Sequence, residues 1–169
     1  MPDYIFDTTA LSNFAAAGRI DLLGKRYGGK AFTTVDVVDE LNKGVKAGYL
    51  HLGSVVQQIQ TMNPAGWIQI MISNSAAEQL LRSQFDQSLG PGEASCLTLA
   101  ISRQMIFVTD DLAARRLAKK RNVSLTGTLG ILIALVRQKA FSIEEANAMI
   151  TAMIQRHYRS PVDRLDDFI

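Results

Sequence analysis

The sequence predicts an α/β fold, with layers of helices around a mostly parallel sheet. Short apolar runs at Tyr4–Phe6, Ala31–Thr33 and Met105–Val108 alternate with stretches whose apolar residues recur at helical spacing. The run at 105–108 is continuously apolar, as expected of a strand buried on both faces of a parallel sheet. Acidic residues follow two of these runs directly, Asp7 and the pair Asp110–Asp111. Open parallel sheets collect functional groups at such strand ends. With 169 residues the chain can bury one proper core, and it is read as a single domain over 1–169 with a helical extension from about 142.

Each element has its own signal. After the first strand, Thr8 or Thr9 is the expected cap of a helix carrying Leu11, Phe14 and Ala15, which Gly18 ends. A second helix runs from Arg19 to Tyr27. Thr34 caps a third, with Val37, Val38, Leu41 and Val45 inward and Glu40 at the border of its apolar stripe. Residues 44–66 are the least patterned and suggest a short helix around Val55–Met62. Trp67–Ile72 alternates like a strand, and Ser75-x-x-Glu78 has the form of a capping box. Gly90-Pro91-Gly92 breaks the chain before a helix with Cys96, Leu97, Ala100 and Ile101 inward. A basic helix follows 105–108, then a strand at Val123–Leu125, a helix entered through Gly127-Thr128-Leu129-Gly130, and a last helix from Ser142 to about Tyr158.

Composition narrows the function. The 47% hydrophobic and 20% charged content is that of a soluble globular domain. No apolar run approaches the ~20 residues that span a bilayer, and MPDYIFD lacks the pattern of a signal peptide. A cytoplasmic protein without membrane association is therefore expected. Cys96 is alone, which excludes an internal disulfide and a paired-cysteine zinc site. His51 and His157 are read as surface residues. The net charge of +2 says little, but residues 115–121 hold Arg115, Arg116, Lys119, Lys120 and Arg121 with no acid between them.

The acids carry the chemistry. Glu40 and Glu93 are expected in the first turns of helices that begin near the edge where Asp7, Asp110 and Asp111 lie. Two unit charges ~4 Å apart repel by about 4 kcal/mol at an effective dielectric of about 20. Such a cluster takes up protons or binds a cation, and all-oxygen ligation suits Mg²⁺ or Mn²⁺. An ion held there would lower the pKa of a bound water and offset charge developing on a phosphodiester. The basic helix would hold the rest of a polyanion through its phosphates. A haloacid-dehalogenase-type phosphatase would need an aspartate where Thr9 stands. A receiver domain would need its acidic pair early in the chain, and Gly127–Gly130 lacks the spacing of a phosphate loop.

Taken in order, FDTTALSNFA, TTVDVVDEL, GPGEASCLTLA, VTDDLAARRLA and LTGTLGILIALV resemble the PIN-domain nucleases, closest to the VapC-like toxins and their relatives. The resemblance spans residues 5–136. It implies a three-layer α/β/α sandwich, Mg²⁺- or Mn²⁺-dependent cleavage of RNA, a cognate antitoxin and a homodimer. By position, Asp7, Glu40, Glu93 and the Asp110–Asp111 pair would form the acidic site, and Thr9 would orient a metal-bound water. Arg115 would orient the site or contact phosphate, and Arg116, Lys119 and Lys120 would add RNA contacts. Glu93 stands where many PIN nucleases have aspartate. Of the adjacent pair, Asp110 is expected to be the more direct member of the acidic site and Asp111 a helix cap or outer ligand. The alternative is a PIN-like module that binds RNA or protein with little cleavage.

Overall fold

The computed structural model describes residues 1–169. Five short strands, β1 (Tyr4–Phe6), β2 (Ala31–Thr33), β3 (Ile68–Ile70), β4 (Ile106–Val108) and β5 (Leu125–Thr126), form one sheet in the order β3-β2-β1-β4-β5. Every pairing is parallel. Nine helices connect and follow them: α1 (Thr8–Ala16), α2 (Ile20–Tyr27), α3 (Val35–Lys46), α4 (Leu52–Val56), α5 (Ala76–Ser83), α6 (Pro91–Ser102), α7 (Leu112–Lys120), α8 (Thr128–Arg137) and α9 (Ile143–Gln155). The result is a three-layer α/β/α sandwich. Helix α1 packs against α2, α3, α4, α8 and α9, while α6 packs against α5 and α7. Ile5, Phe6, Phe107 and Val108 are fully buried between these layers.

The strand order locates the site. From β1 the chain moves outward to β2, and from β4 it moves outward the other way to β5, so the connections diverge between β1 and β4. A sheet of this kind opens a crevice at that switch point, beyond the carboxyl ends of the strands. The register pairs Phe6 with Val108, so Asp7 and Thr109 leave the sheet side by side. The Asp7 amide still donates to the Val108 carbonyl at 3.2 Å.

Several local expectations change. Asp7 itself caps α1 by accepting from the Thr9 amide, so neither Thr8 nor Thr9 is the cap. A carboxylate there also meets the positive end of the helix. The short helix lies at Leu52–Val56, ahead of the expected 55–62, where the chain instead turns and Ile59 bridges to Ile68. Strand β5 is Leu125–Thr126, later than expected, because Thr126 pairs with Val108 and its carbonyl accepts from the Thr109 amide. Ser75 accepts from the Glu78 amide, but the Glu78 carboxylate turns to Ser73, Asn74, Ser102 and Arg103, leaving the capping box half-made. Ser142 and Glu145 complete theirs. Helix α9 stops at Gln155, short of Tyr158.

Candidate active site

Asp7 is wholly buried, and two threonine hydroxyls connect it to the far strand end. Thr9 Oγ1 donates to Asp7 Oδ1 at 2.6 Å and accepts from the Asp110 amide at 2.8 Å. Thr109 Oγ1 donates to Asp7 Oδ2 and accepts from the Asp111 amide at 3.1 Å. Each hydroxyl has one proton, and the amides already use an acceptor site on each, so both protons are free to point at the carboxylate. The network therefore suits an ionised Asp7. Burial opposes it: loss of solvation raises the Asp7 pKa most, hydrogen bonds from Thr109 and Thr9 pull it back, and the charge of Glu93 adds to the rise, which reaches about 7.

Glu40 and Glu93 occupy the neighbouring space. Glu40 accepts from Thr8 Oγ1 at 2.6 Å and from the Gly92 amide at 2.8 Å. A Cβ on Gly92 would collide with the Glu40 carboxylate, and one on Gly90 with that of Glu93. The glycines of the GPGE turn thus give both acids room. Glu40 lies in the second turn of α3, and only Glu93 is in a first turn. Burial raises the Glu93 pKa, and the charges of Glu40 and Asp111 raise it further. Glu93 is thus the acid that links the group, acting on Asp7 and acted on by Glu40 and Asp111. All their donors are oxygen, the set that suits a hard divalent cation. As the side chains stand, no three acidic groups converge closely enough to hold an ion.

The two late aspartates part company, as adjacent residues at a strand end should. Asp111 caps α7, accepting from the Ala114 amide at 2.8 Å, and its charge is felt by Glu93. Asp110 turns the other way. Its carboxylate accepts from the Thr128 amide at 2.9 Å, from Thr128 Oγ1 at 2.5 Å and from Asn13 Nδ2 at 3.0 Å. It thereby caps α8 from outside that helix, whose N-cap residue, Gly127, has no side chain to do so. Asp111 is thus the helix cap that was expected, with its charge acting on Glu93, whereas Asp110 is engaged in holding α8.

The basic residues divide as well. Arg115 Nη1 donates to the Thr109 carbonyl at 2.8 Å and the Thr126 carbonyl at 3.3 Å, clamping the ends of β4 and β5. Arg116, Lys119 and Lys120 are exposed and belong to none of the ion pairs. Lys119 and Lys120 lie in the last turn of α7, roughly 12 Å along the axis from Asp111 at 1.5 Å per residue. They sit along α7 away from the strand ends, exposed to solvent. His157 is exposed, whereas His51 is half-buried with Nε2 3.0 Å from Ser12 Oγ.

Sequence reasoning missed Thr8, Thr109, Asn13 and Thr128, all of which hold acidic side chains. The doubled threonine of DTT and the threonine of VTDD were the available signals. It also missed the C-terminal residues Tyr158 and Arg159. These line a cavity of about 890 Å³ together with Thr8, Thr9, Asp110 and Asp111.

With this geometry in view, comparison with known proteins decides the family. A family model described as "PIN domain" matches residues 3–169. The chain belongs to the PIN-domain family. No curated protein matches it in sequence. Among solved structures it is similar to the crystal structure of PAE2754 from Pyrobaculum aerophilum, with 20% identity and a TM-score of 0.52. That match covers 83% of this PIN domain and 98% of the other chain, and it shows a shared fold. No helix of the PIN domain is long and apolar enough to cross a membrane.

Proposed function

We propose that this PIN domain is a metal-dependent endoribonuclease that uses Mg²⁺ or Mn²⁺, and the VapC-like toxin of a toxin–antitoxin pair. The observation that carries the reading is the group of Asp7, Glu40, Glu93 and Asp111 at the switch point of a parallel sheet, none of which is paired with a basic side chain. These four residues would hold the ion, and a bound ion would supply an activated water and charge compensation on the phosphodiester. The chain's own contribution is positional. Thr8 and the Gly92 amide fix Glu40, Thr9 and Thr109 fix Asp7, and the α7 cap fixes Asp111. The second reading, a module that binds RNA or a partner protein with little cleavage, is favoured by the hydroxyl and amide donors that already engage Asp7, and by the absence of a preassembled triad.

As a toxin, the PIN domain would be a homodimer held inactive by an antitoxin, whose basic side chain would pair with these acids. The test is cleavage of a mixed RNA panel by purified protein with Mn²⁺, with and without chelator, beside Asp7→Asn. The expected result is metal-dependent cutting that falls to background in the variant while its folded spectrum persists. Cutting that survives both chelator and Asp7→Asn overturns the reading. Co-expression with the adjacent gene should yield a stable complex, and growth arrest that no neighbour relieves counts against a toxin.

A further inference from the structure

The cavity beside the acids takes one wall from the C-terminal segment, to which no role has yet fallen. Helix α9 closes with two reversed hydrogen bonds, His157 amide to Ile154 carbonyl and Tyr158 amide to Met153 carbonyl, both 3.0 Å. His157 takes the left-handed conformation, φ 73°, that such a closure usually gives to glycine. The reversal brings Tyr158, Arg159 and Pro161 to the cavity that Thr9, Asp110 and Arg115 also line. The segment is pinned further along the chain: Leu165 is fully buried, and its amide donates to Asn147 Oδ1 at 2.8 Å.

The chemistry of this wall suits one kind of occupant. Tyr158 is half-buried, packs on the core and lines the open space. Burial and the nearby charge of Asp110 raise its pKa, so the phenol stays neutral and can donate a hydrogen bond. Arg159 is exposed and in no ion pair. Arg115 uses only Nη1 on the strand-end carbonyls, which leaves Nε and Nη2 free to donate. An aromatic ring, two guanidinium groups and a half-open cleft beside the proposed phosphodiester-cutting site match a base with its flanking phosphates. About 890 Å³ is within the usual range of a ligand cleft.

We infer that the C-terminal segment is the wall that holds substrate in this groove: Tyr158 stacks on a nucleobase, and Arg159 with the free edge of Arg115 binds the adjacent phosphates. The substrate class rests on the nuclease reading; the placement rests on the cavity. All three are positioning residues, not members of the acidic site.

The test is fluorescence anisotropy of a short labelled single-stranded RNA of mixed sequence, in chelator so that nothing is cut. Tyr158→Leu should weaken binding about ten-fold and Tyr158→Phe by less than about two-fold, because stacking needs the ring and not the hydroxyl. Arg159→Ala should weaken binding and flatten its salt dependence, whereas Lys25→Ala, an equal loss of charge on α2, should do neither. Melting curves accompany each variant, and exposed Arg159 decides the matter if Tyr158→Leu unfolds. Native-like RNA binding by Tyr158→Leu and Arg159→Ala overturns the inference, as does no RNA binding by the native chain. RNA held through Tyr158 but never cut with Mn²⁺ leaves the inference standing and removes the nuclease reading. RNA cut equally well by the variants does the reverse.

Discussion

Glu78 and Asp7 are both buried carboxylates, and the molecule treats them oppositely. Glu78, on α5, accepts from Arg103 Nε and Ser102 Oγ at 2.8 Å each and from the Asn74 amide at 3.0 Å. The Arg103 guanidinium is the main cause of a pKa held down to about 2. Asp7 lies deeper, wholly out of solvent, with only neutral donors and like-charged neighbours, and burial above all pushes its pKa up to about 7. A paired carboxylate ties α5 to α6. Asp7, left unpaired, is the acid for which a bound cation is proposed.

Neutral replacements break the comparison most strongly. Glu78→Gln leaves Arg103 without its charged partner and should destabilise the protein by about 1–3 kcal/mol in denaturant unfolding. Asp7→Asn should act the other way in metal-free buffer at pH 8. It removes a buried charge while asparagine keeps the helix cap, so stability should rise by about 1–2 kcal/mol. Loss of stability in Asp7→Asn would place Asp7 with Glu78 as a structural acid.

The pH dependence sharpens the same contrast. Asp7 has a folded pKa of about 7 against an ordinary 3.8, so the folded state keeps a proton that the unfolded chain releases. Its contribution to stability is complete below pH 3.8 and is lost as pH rises through 7. Glu78, at about 2 against 4.5, contributes fully above pH 4.5 and loses that contribution as pH falls through 2. Metal-free melts from acid to pH 8 should show Asp7→Asn flattening the upper window alone and Glu78→Gln the lower.

The smallest effect belongs to the adjacent pair. Asparagine caps helices as well as aspartate, so Asp111→Asn should change stability by less than about 0.5 kcal/mol while weakening Mn²⁺ binding measured by calorimetry. Asp110→Asn disturbs the contacts that hold α8 and should lower the melting temperature more. The opposite ranking would return Asp110 to the ion.

Much of this was legible in the sequence because strand ends are legible. The apolar runs before Asp7 and Asp110 fix where the chain leaves a parallel sheet, and glycines around Glu93 and before Thr128 mark close approaches. The direction of each aspartate was not. Asp110 faces α8 because Thr128 and Asn13, 18 and 97 residues away in the chain, converge on it. The cavity wall at Tyr158 and Arg159 was hidden for a related reason. It depends on His157 adopting a left-handed turn that histidine does not advertise.

The acids Asp7, Glu40, Glu93 and Asp111 are proposed to hold a divalent cation. The most direct measurement is the shift in melting temperature with Mn²⁺ at pH 8, for the native chain and for Asp7→Asn. The expected result is a saturable rise in the native protein, where the ion offsets the buried charge, and little or none in the variant. Equal shifts in both, or no shift in the native chain, would contradict the account.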